Sequence, residues 1–292
     1  MIFEGNCTAL VTPFLNNGSV NYKVLQKLIE EQIESKSKAL LVLGTTGESA
    51  TLTLDEKIEI VKLAKKLTKD KIPLIVGAGS NNTQTAIHNS KLFEGLGADA
   101  LLSITPYYNK TTQTGLVKHF SAIAKEVSIP IILYNVPSRT GINMEPKTIL
   151  TLSKISNIVG IKEASGNLNQ MAKIIKVAPK DFAVYSGEDS LTLPALTLGA
   201  KGVFSVTGNL FPHKMQQLCQ YYFDGNLPAA QKEHYNLLEM FELLFCEVNP
   251  IPIKTAMNIL HKNVGPLRLP LCAISRKNYQ KIKKAIKKVD LS

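Results

Sequence analysis

Eight short apolar runs recur along the 292-residue chain, each closing on small or polar residues and each separated from the next by a longer segment of helical periodicity. The runs are Thr8 to Val11, Ala39 to Leu43, Leu74 to Val76, Ala100 to Ile104, Ile131 to Tyr134, Ile158 to Ile161, Ala183 to Tyr185 and Val203 to Val206. Between them, Tyr22 to Ser35, Leu54 to Thr68, Thr83 to Leu96 and Gly115 to Val127 carry apolar residues three and four apart with Lys and Glu interspersed, the pattern of amphipathic helices. Continuously apolar strands alternating with helices imply parallel pairing buried on both faces. Eight such units in about 220 residues match an α/β chain closed into a (β/α)8 TIM barrel. The alternative is an open doubly wound sheet, but no G-x-G-x-x-G follows the first strand. From Leu227 the strand runs stop, and Leu227 to Glu247, Pro252 to His261 and Ser275 to Lys288 read as helices. The expected division is a catalytic barrel over 1–225 and a C-terminal helical domain over 226–292, without a low-complexity linker.

Composition narrows the classes of function. No stretch approaches the roughly 18 uninterrupted apolar residues of a membrane helix, and the N-terminus has an early Glu4 and no basic leader, so a cytoplasmic protein is expected. Cys7, Cys219, Cys246 and Cys272 form no C-x-x-C pair and are expected to be buried thiols in a reducing compartment. A net charge of +11 raises nucleic acid as a partner. Only Arg139, Arg268 and Arg276 among the cations are arginine, however, and readers of a duplex spend arginine on base edges. The densest basic cluster, Lys281 to Lys288, interleaves with Tyr279, Ile282, Ile286 and Val289 at helical spacing. That is a docked amphipathic helix with a solvated lysine face, so no nucleic acid is expected.

The active site of such a barrel is built at the C-terminal ends of its strands. The residues found there are Thr12-Pro13, Gly44-Thr-Thr-Gly-Glu48, Gly77 to Asn81, Thr105 to Asn109, Tyr134 to Thr140, Lys162 to Gly166, Ser186-Gly-Glu-Asp189 and Thr207-Gly-Asn209. Lys162 stands out because it follows Ile158-Val-Gly-Ile161. Apolar walls penalise an ammonium ion and leave an amine able to attack a carbonyl. The competing reading is a lysine that reaches solvent or pairs with Glu163. Arg139 lies on the proline-fixed loop after Tyr134-Asn-Val-Pro137 and suits bidentate capture of a carboxylate, against an ordinary role of capping a nearby carbonyl. Tyr134, Tyr107 and Tyr108 supply phenols for proton relay, and Thr45 and Thr46 supply hydroxyls and loop amides for an anion. The five histidines show no metal-ligand spacing, no G-x-S-x-G elbow is present, and Gly44 to Gly47 lacks the length and Lys of a P-loop.

Taken together, Gly44-Thr-Thr-Gly-Glu48, Thr105-Pro-Tyr-Tyr-Asn-Lys110, Tyr134-Asn-Val-Pro-Ser-Arg-Thr-Gly141, Gly160-Ile-Lys-Glu-Ala-Ser-Gly-Asn167 and Asn249-Pro-Ile-Pro-Ile-Lys254 resemble the 4-hydroxy-tetrahydrodipicolinate (dihydrodipicolinate) synthases over essentially the whole chain. That family belongs to the Schiff-base aldolases, and its members are usually tetramers. The resemblance implies condensation of pyruvate with L-aspartate 4-semialdehyde on the diaminopimelate route to lysine, with no cofactor and no metal. It makes Lys162 the Schiff-base lysine and Tyr134 a proton shuttle, in relay with Thr46 and with Tyr108 from a neighbouring subunit. The amides around Thr45 and Thr46 would hold the pyruvate carboxylate, and Arg139 the carboxylate of the semialdehyde. Gly187 and the main chain at Phe204 would line the pocket, Phe204 departing from the usual isoleucine.

N-acetylneuraminate lyase and the keto-deoxy sugar acid aldolases resemble the chain at Gly44 to Glu48, Tyr134 and Lys162, so those residues do not discriminate. Arg139 does, since the sugar lyases hold polyol hydroxyls near that place. A catalytically silent barrel would be expected to have lost Lys162 or Tyr134, and both are present. Relatives that respond to lysine hold it near the segments matching Ser49 to Lys57, Asn81 to Thr85 and Tyr107. Here Thr85 stands where an acidic residue is usual, and Leu54 and Lys57 where histidine is frequent, so weak or absent inhibition by lysine is expected.

Overall fold

The computed structural model describes residues 1–291. Strands β1 (Gly5–Ala9), β2 (Ala39–Val42), β3 (Leu74–Gly77), β4 (Ala100–Ile104), β5 (Ile131–Asn135), β6 (Ile158–Glu163), β7 (Ala183–Ser186) and β8 (Gly202–Ser205) pair in parallel, each with the next. β8 returns to β1 and closes the barrel, Cys7 lying opposite Phe204 on one side and Ala39 on the other. All eight expected strands are present, in a closed rather than an open sheet. Helices α1 (Tyr22–Glu34), α2 (Leu54–Thr68), α3 (Thr83–Gly95) and α4 (Gln113–Lys125) follow the first four strands. A single turn, α5 (Pro137–Thr140), and α6 (Pro146–Leu152) follow β5. Next come α7 (Leu168–Val177), α8 (Thr192–Leu198) and α9 (Pro212–Phe223). α2 begins with a capping box in which Thr53 and Glu56 satisfy each other's backbone N–H groups.

Strand periodicity of two divides the apolar residues into two cores. Cys7, Leu41, Ile75, Leu102, Ile132, Tyr185 and Phe204 fill the barrel interior, while Leu40, Val76, Leu101, Leu133, Ile161 and Val203 face the helices. Phe3 plugs the N-terminal end of the barrel. Its ring stacks on Tyr185 at 4.2 Å, and Tyr185 Oη donates to its carbonyl.

β1 begins three residues before its apolar run, at Gly5. Of its added residues Asn6 is polar yet buried: Asn6 N–H donates to Gln216 Oε1, and Asn6 Nδ2 reaches Thr8 Oγ1 and Ser37 Oγ. A criterion of apolar runs misses such a residue, whose N–H groups are satisfied by neighbouring side chains.

After the barrel come α10 (Leu227–Leu243), α11 (Ile251–Ile259) and α12 (Arg276–Ile286), with α10 packed on α9 and both α10 and α11 on α12. α12 buries Ile282, Ala285 and Ile286 and turns its lysines outward, as the spacing requires. The expectation for the cysteines needs correction. Cys7 and Cys219 are buried, but Cys246 and Cys272 are exposed, because both lie on connections between the last helices. Among the described residues, no helix is long and apolar enough to cross a membrane.

Candidate active site

β6 brings the central residue into place. Lys162 pairs laterally with Tyr134 of β5 and Tyr185 of β7, three side chains in one inward-facing layer. A β-bulge between β5 and β6, at Val159, sets this register. Lys162 is 7% exposed. Its Nζ lies 4.3 Å from the centre of the Tyr134 ring and 5.4 Å from that of Phe204, with no carboxylate within ion-pair distance among the described residues.

Pairing with Glu163 is ruled out by the strand itself, because adjacent residues point to opposite faces. The Glu163 carboxylate faces outward, where it accepts from Asn135 Nδ2, Gln170 Nε2 and the backbone N–H of Ser165. Beside Lys162 the chain needs glycine at position 187: a Cβ there would lie 2.5 Å from Ala164 Cβ and 3.1 Å from Lys162 Cε.

The Gly44–Glu48 loop is held from the C-terminal helices. Glu48, in the left-handed region at φ 52°, is buried, and its Oε1 accepts from Lys254 Nζ at 2.9 Å while Oε2 accepts from the backbone N–H of Arg268. Lys254 Nζ also donates to the carbonyls of Thr12 and Pro266 and lies 4.2 Å above the Phe14 ring. Burial lowers the Lys254 pKa and the Glu48 charge opposes that shift. Asn249 is the second tie: its Nδ2 donates to Thr46 Oγ1 at 2.9 Å and its carbonyl accepts from Arg139 Nη2 at 3.3 Å. One residue thereby spans the threonine loop and the arginine.

These groups surround a cavity of ≈340 Å³ at the C-terminal mouth of the barrel. Lys162, Tyr134, Thr45, Thr46, Arg139 and Gly187, all singled out in the sequence, line it. Arg139 sits on the helical turn α5 rather than on an irregular loop, Pro137 occupying its first position. Its guanidinium donates to the Asn249 carbonyl, the side chain's one hydrogen bond among the described residues, and it borders the cavity.

Phe204 does not line the cavity. Its ring lies edge-on to Phe3 and Tyr185 beneath Lys162, and Val206 forms the wall instead. Tyr108 is outside its own cavity, 92% exposed and at φ 69°.

Sequence reasoning assigned no role to Glu188, Asp189 or Asn249, which line the cavity, nor to Lys254. Glu188 and Asp189 close a strand run and Asn249 and Lys254 bound a quoted motif, so the signals were in view. Asp189 Oδ2 accepts from the backbone N–H groups of Val206 and Thr207 and from the Thr207 hydroxyl, and burial raises its pKa. The Glu188 pKa is raised by burial first and then by the charges of Glu163 and Asp189. Among the described residues no three His, Cys, Asp or Glu side chains are grouped as a metal site requires. The arrangement offers an amine in apolar surroundings beside a phenol, with a guanidinium at the rim, the layout for carbonyl capture by an amine.

Comparison with known proteins agrees with this geometry. The sequence profile of the Dihydrodipicolinate synthetase family matches residues 2–289. A 4-hydroxy-tetrahydrodipicolinate synthase of Clostridium perfringens (strain SM101 / Type A) is 48% identical over 277 residues, 95% of either chain. That of Thermoanaerobacter sp. (strain X514) is 47% identical over 291 residues, 99% of this chain and 98% of the relative. The crystal structure of the synthase from Cyanidioschyzon merolae with lysine bound superposes with a TM-score of 0.96 at 44% identity, covering 100% of this chain and 99% of that one. With this barrel, this lysine at its mouth and these likenesses over its full length, the chain belongs to the dihydrodipicolinate synthetase family.

Proposed function

We propose that the protein is a 4-hydroxy-tetrahydrodipicolinate synthase, a lyase that condenses pyruvate with L-aspartate 4-semialdehyde by a class I aldolase mechanism in diaminopimelate and lysine biosynthesis. The observation that carries this reading is Lys162, buried at the barrel mouth with its amine against the Tyr134 ring and no counter-ion, in a chain of this family. Nζ attacks the pyruvate carbonyl carbon, water leaves, and a protonated imine forms. The imine draws off the electrons released when a methyl proton is lost, and the resulting enamine attacks the aldehyde carbon. No external electron sink is needed for these steps.

In this scheme Tyr134 moves the protons of imine formation, with Thr46 and a Tyr108 from a neighbouring copy completing the relay. The amides at Thr45 and Thr46 receive the pyruvate carboxylate, and Arg139 that of the semialdehyde. Gly187 keeps space beside Nζ, and Phe204 supports the lysine from below. The exposed Tyr108 supports a shared site, and with it a homotetramer. Cytoplasmic residence follows from the biosynthetic role. The division at residue 225/226 separates the barrel from helices that brace its loops through Asn249 and Lys254.

Pyruvate with borohydride tests the reading: intact-mass and peptide analysis should find one reduced adduct, on Lys162, and a label elsewhere or none would refute it. Offering N-acetylmannosamine in place of the semialdehyde separates this activity from that of a sugar lyase.

A further inference from the structure

The semialdehyde carries a carboxylate, an aldehyde and an ammonium group, whereas the roles above account for only the first two. The product is a ring closed through the substrate nitrogen, so that nitrogen must lose a proton before it can act as a nucleophile. A carboxylate facing the cavity is the natural receiver.

Four acidic residues lie close by, and three are unsuited. Glu163 faces the outside of the barrel and is held by Asn135, Gln170 and Ser165. Asp189 is occupied by Val206 and Thr207. Glu242 is an exposed residue of α10 at the outer rim. Glu188 remains: it lines the cavity, adjoins Gly187 beside Lys162, and has no ion-pair partner among the described residues. Its backbone N–H and carbonyl are both fixed by Ser186 Oγ. A Cβ on Gly166 would lie 3.4 and 3.6 Å from its two carboxylate oxygens, ordinary contact distances, so the carboxylate rests beside the turn that follows Lys162.

We propose that Glu188 is a further catalytic residue, which receives the ammonium group of the aldehyde substrate opposite Arg139 and takes its proton for ring closure. This inference rests on the synthase reading and deepens it. The carboxylate takes one N–H proton. The freed electron pair then forms a C–N bond to the imine carbon, and the attacking nitrogen passes a proton to Nζ. The C–Nζ bond breaks with its electron pair leaving on Lys162, the ring nitrogen forms the new C=N bond, and Glu188 returns its proton to solvent. Burial first, and then the neighbouring charges of Glu163 and Asp189, raise the Glu188 pKa and make it a better proton acceptor than an exposed carboxylate.

The experiment is borohydride trapping with Glu188→Gln. Pyruvate alone should label Lys162 as in the unaltered enzyme, which also reports that the variant folds. With aspartate semialdehyde added, kcat/KM should fall on the order of a hundredfold, and an uncyclised adduct carrying both substrates should accumulate on Lys162. Succinic semialdehyde, which lacks the amino group, should give its open adduct at equal rates in both proteins, and Glu188→Asp should restore part of the turnover. The inference is overturned if the variant turns over at the normal rate, if no two-substrate adduct accumulates, or if the succinic semialdehyde adduct slows equally. Loss of the pyruvate label in the variant alone would likewise overturn it, whereas absence of that label in the unaltered enzyme would refute the synthase reading itself.

Discussion

Arg139 and His119 show how one side chain's surroundings decide its work. The Arg139 side chain has one hydrogen bond among the described residues, to the Asn249 carbonyl, and it borders the cavity. Arg139→Ala should lower kcat/KM for the semialdehyde on the order of a hundredfold, while pyruvate labelling of Lys162 persists. Loss of both together would make the arginine a structural one. His119, 6% exposed, has Nδ1 at 2.9 Å from Thr83 Oγ1 and a buried Nε2 without a partner. Burial depresses its pKa to about 4. The unfolded chain therefore binds a proton that the folded chain refuses between about pH 6.5 and 4, and stability falls as pH falls through that window. Between pH 7 and 5 this group should remove about 2 kcal/mol. Urea unfolding of the protein and of His119→Gln at both values should show a smaller pH dependence in the variant.

The elements carry the contrast between what periodicity shows and what it hides. β6 was legible because Ile158, Val159 and Ile161 form an apolar run, and the alternation of side chains is enough to separate Lys162 from Glu163. The bulge that sets Tyr134 beside Lys162 left no such mark, since an extra residue in an apolar run changes no pattern. Of the barrel helices, α5 to α9 carry no helix assignment from the sequence, and α5, α6 and α9 open on a proline, which also reads as a turn. The connection of α11 to the threonine loop is a pairing across about 200 residues, Lys254 to Glu48. Lys254→Met would leave Glu48 buried without its counter-charge, and should cost about 3–5 kcal/mol in unfolding free energy. Adding Glu48→Gln should recover part of it. A single variant as stable as the parent in denaturant titration would show that the pair does not hold the loop.

At the scale of the whole molecule, the surface bears on both assembly and regulation. Tyr107, Tyr108 and Leu54 are exposed, and a shared site requires a second copy to cover Tyr108. Sedimentation at assay concentrations should find an oligomer, and Tyr108→Phe should slow turnover without dissociating it. A fully active monomer would remove Tyr108 from the relay. Close by, Ser49, Ala50, Lys57, Thr85 and Tyr107 line a cavity of ≈510 Å³ that shares Thr45, Tyr134 and Arg139 with the active site. The one acid on its wall, Glu48, is already held by Lys254 and Arg268. A lysine molecule would find Lys57 and no available carboxylate there, and an unmatched ammonium in a closed cleft costs several kcal/mol. Activity at subsaturating pyruvate should therefore survive lysine up to the millimolar range. Half-inhibition below about 1 mM, roughly 4 kcal/mol of binding, would refute this.

The sequence by itself determined the eight strands, the first four helices between them, and the candidates Lys162, Tyr134, Thr45, Thr46, Arg139 and Gly187, because burial on both faces and the chemistry of strand ends are written locally, within a few residues. Only the tertiary structure decided which side chains meet. Phe204 went under the lysine instead of onto the cavity wall, Tyr108 went outside its own site, and Asn249, Glu188 and Lys254 came in from afar. The physical reason is that contacts between distant segments are set by closure of the barrel and by which buried polar groups must find partners, and neither has a period that can be read along the chain.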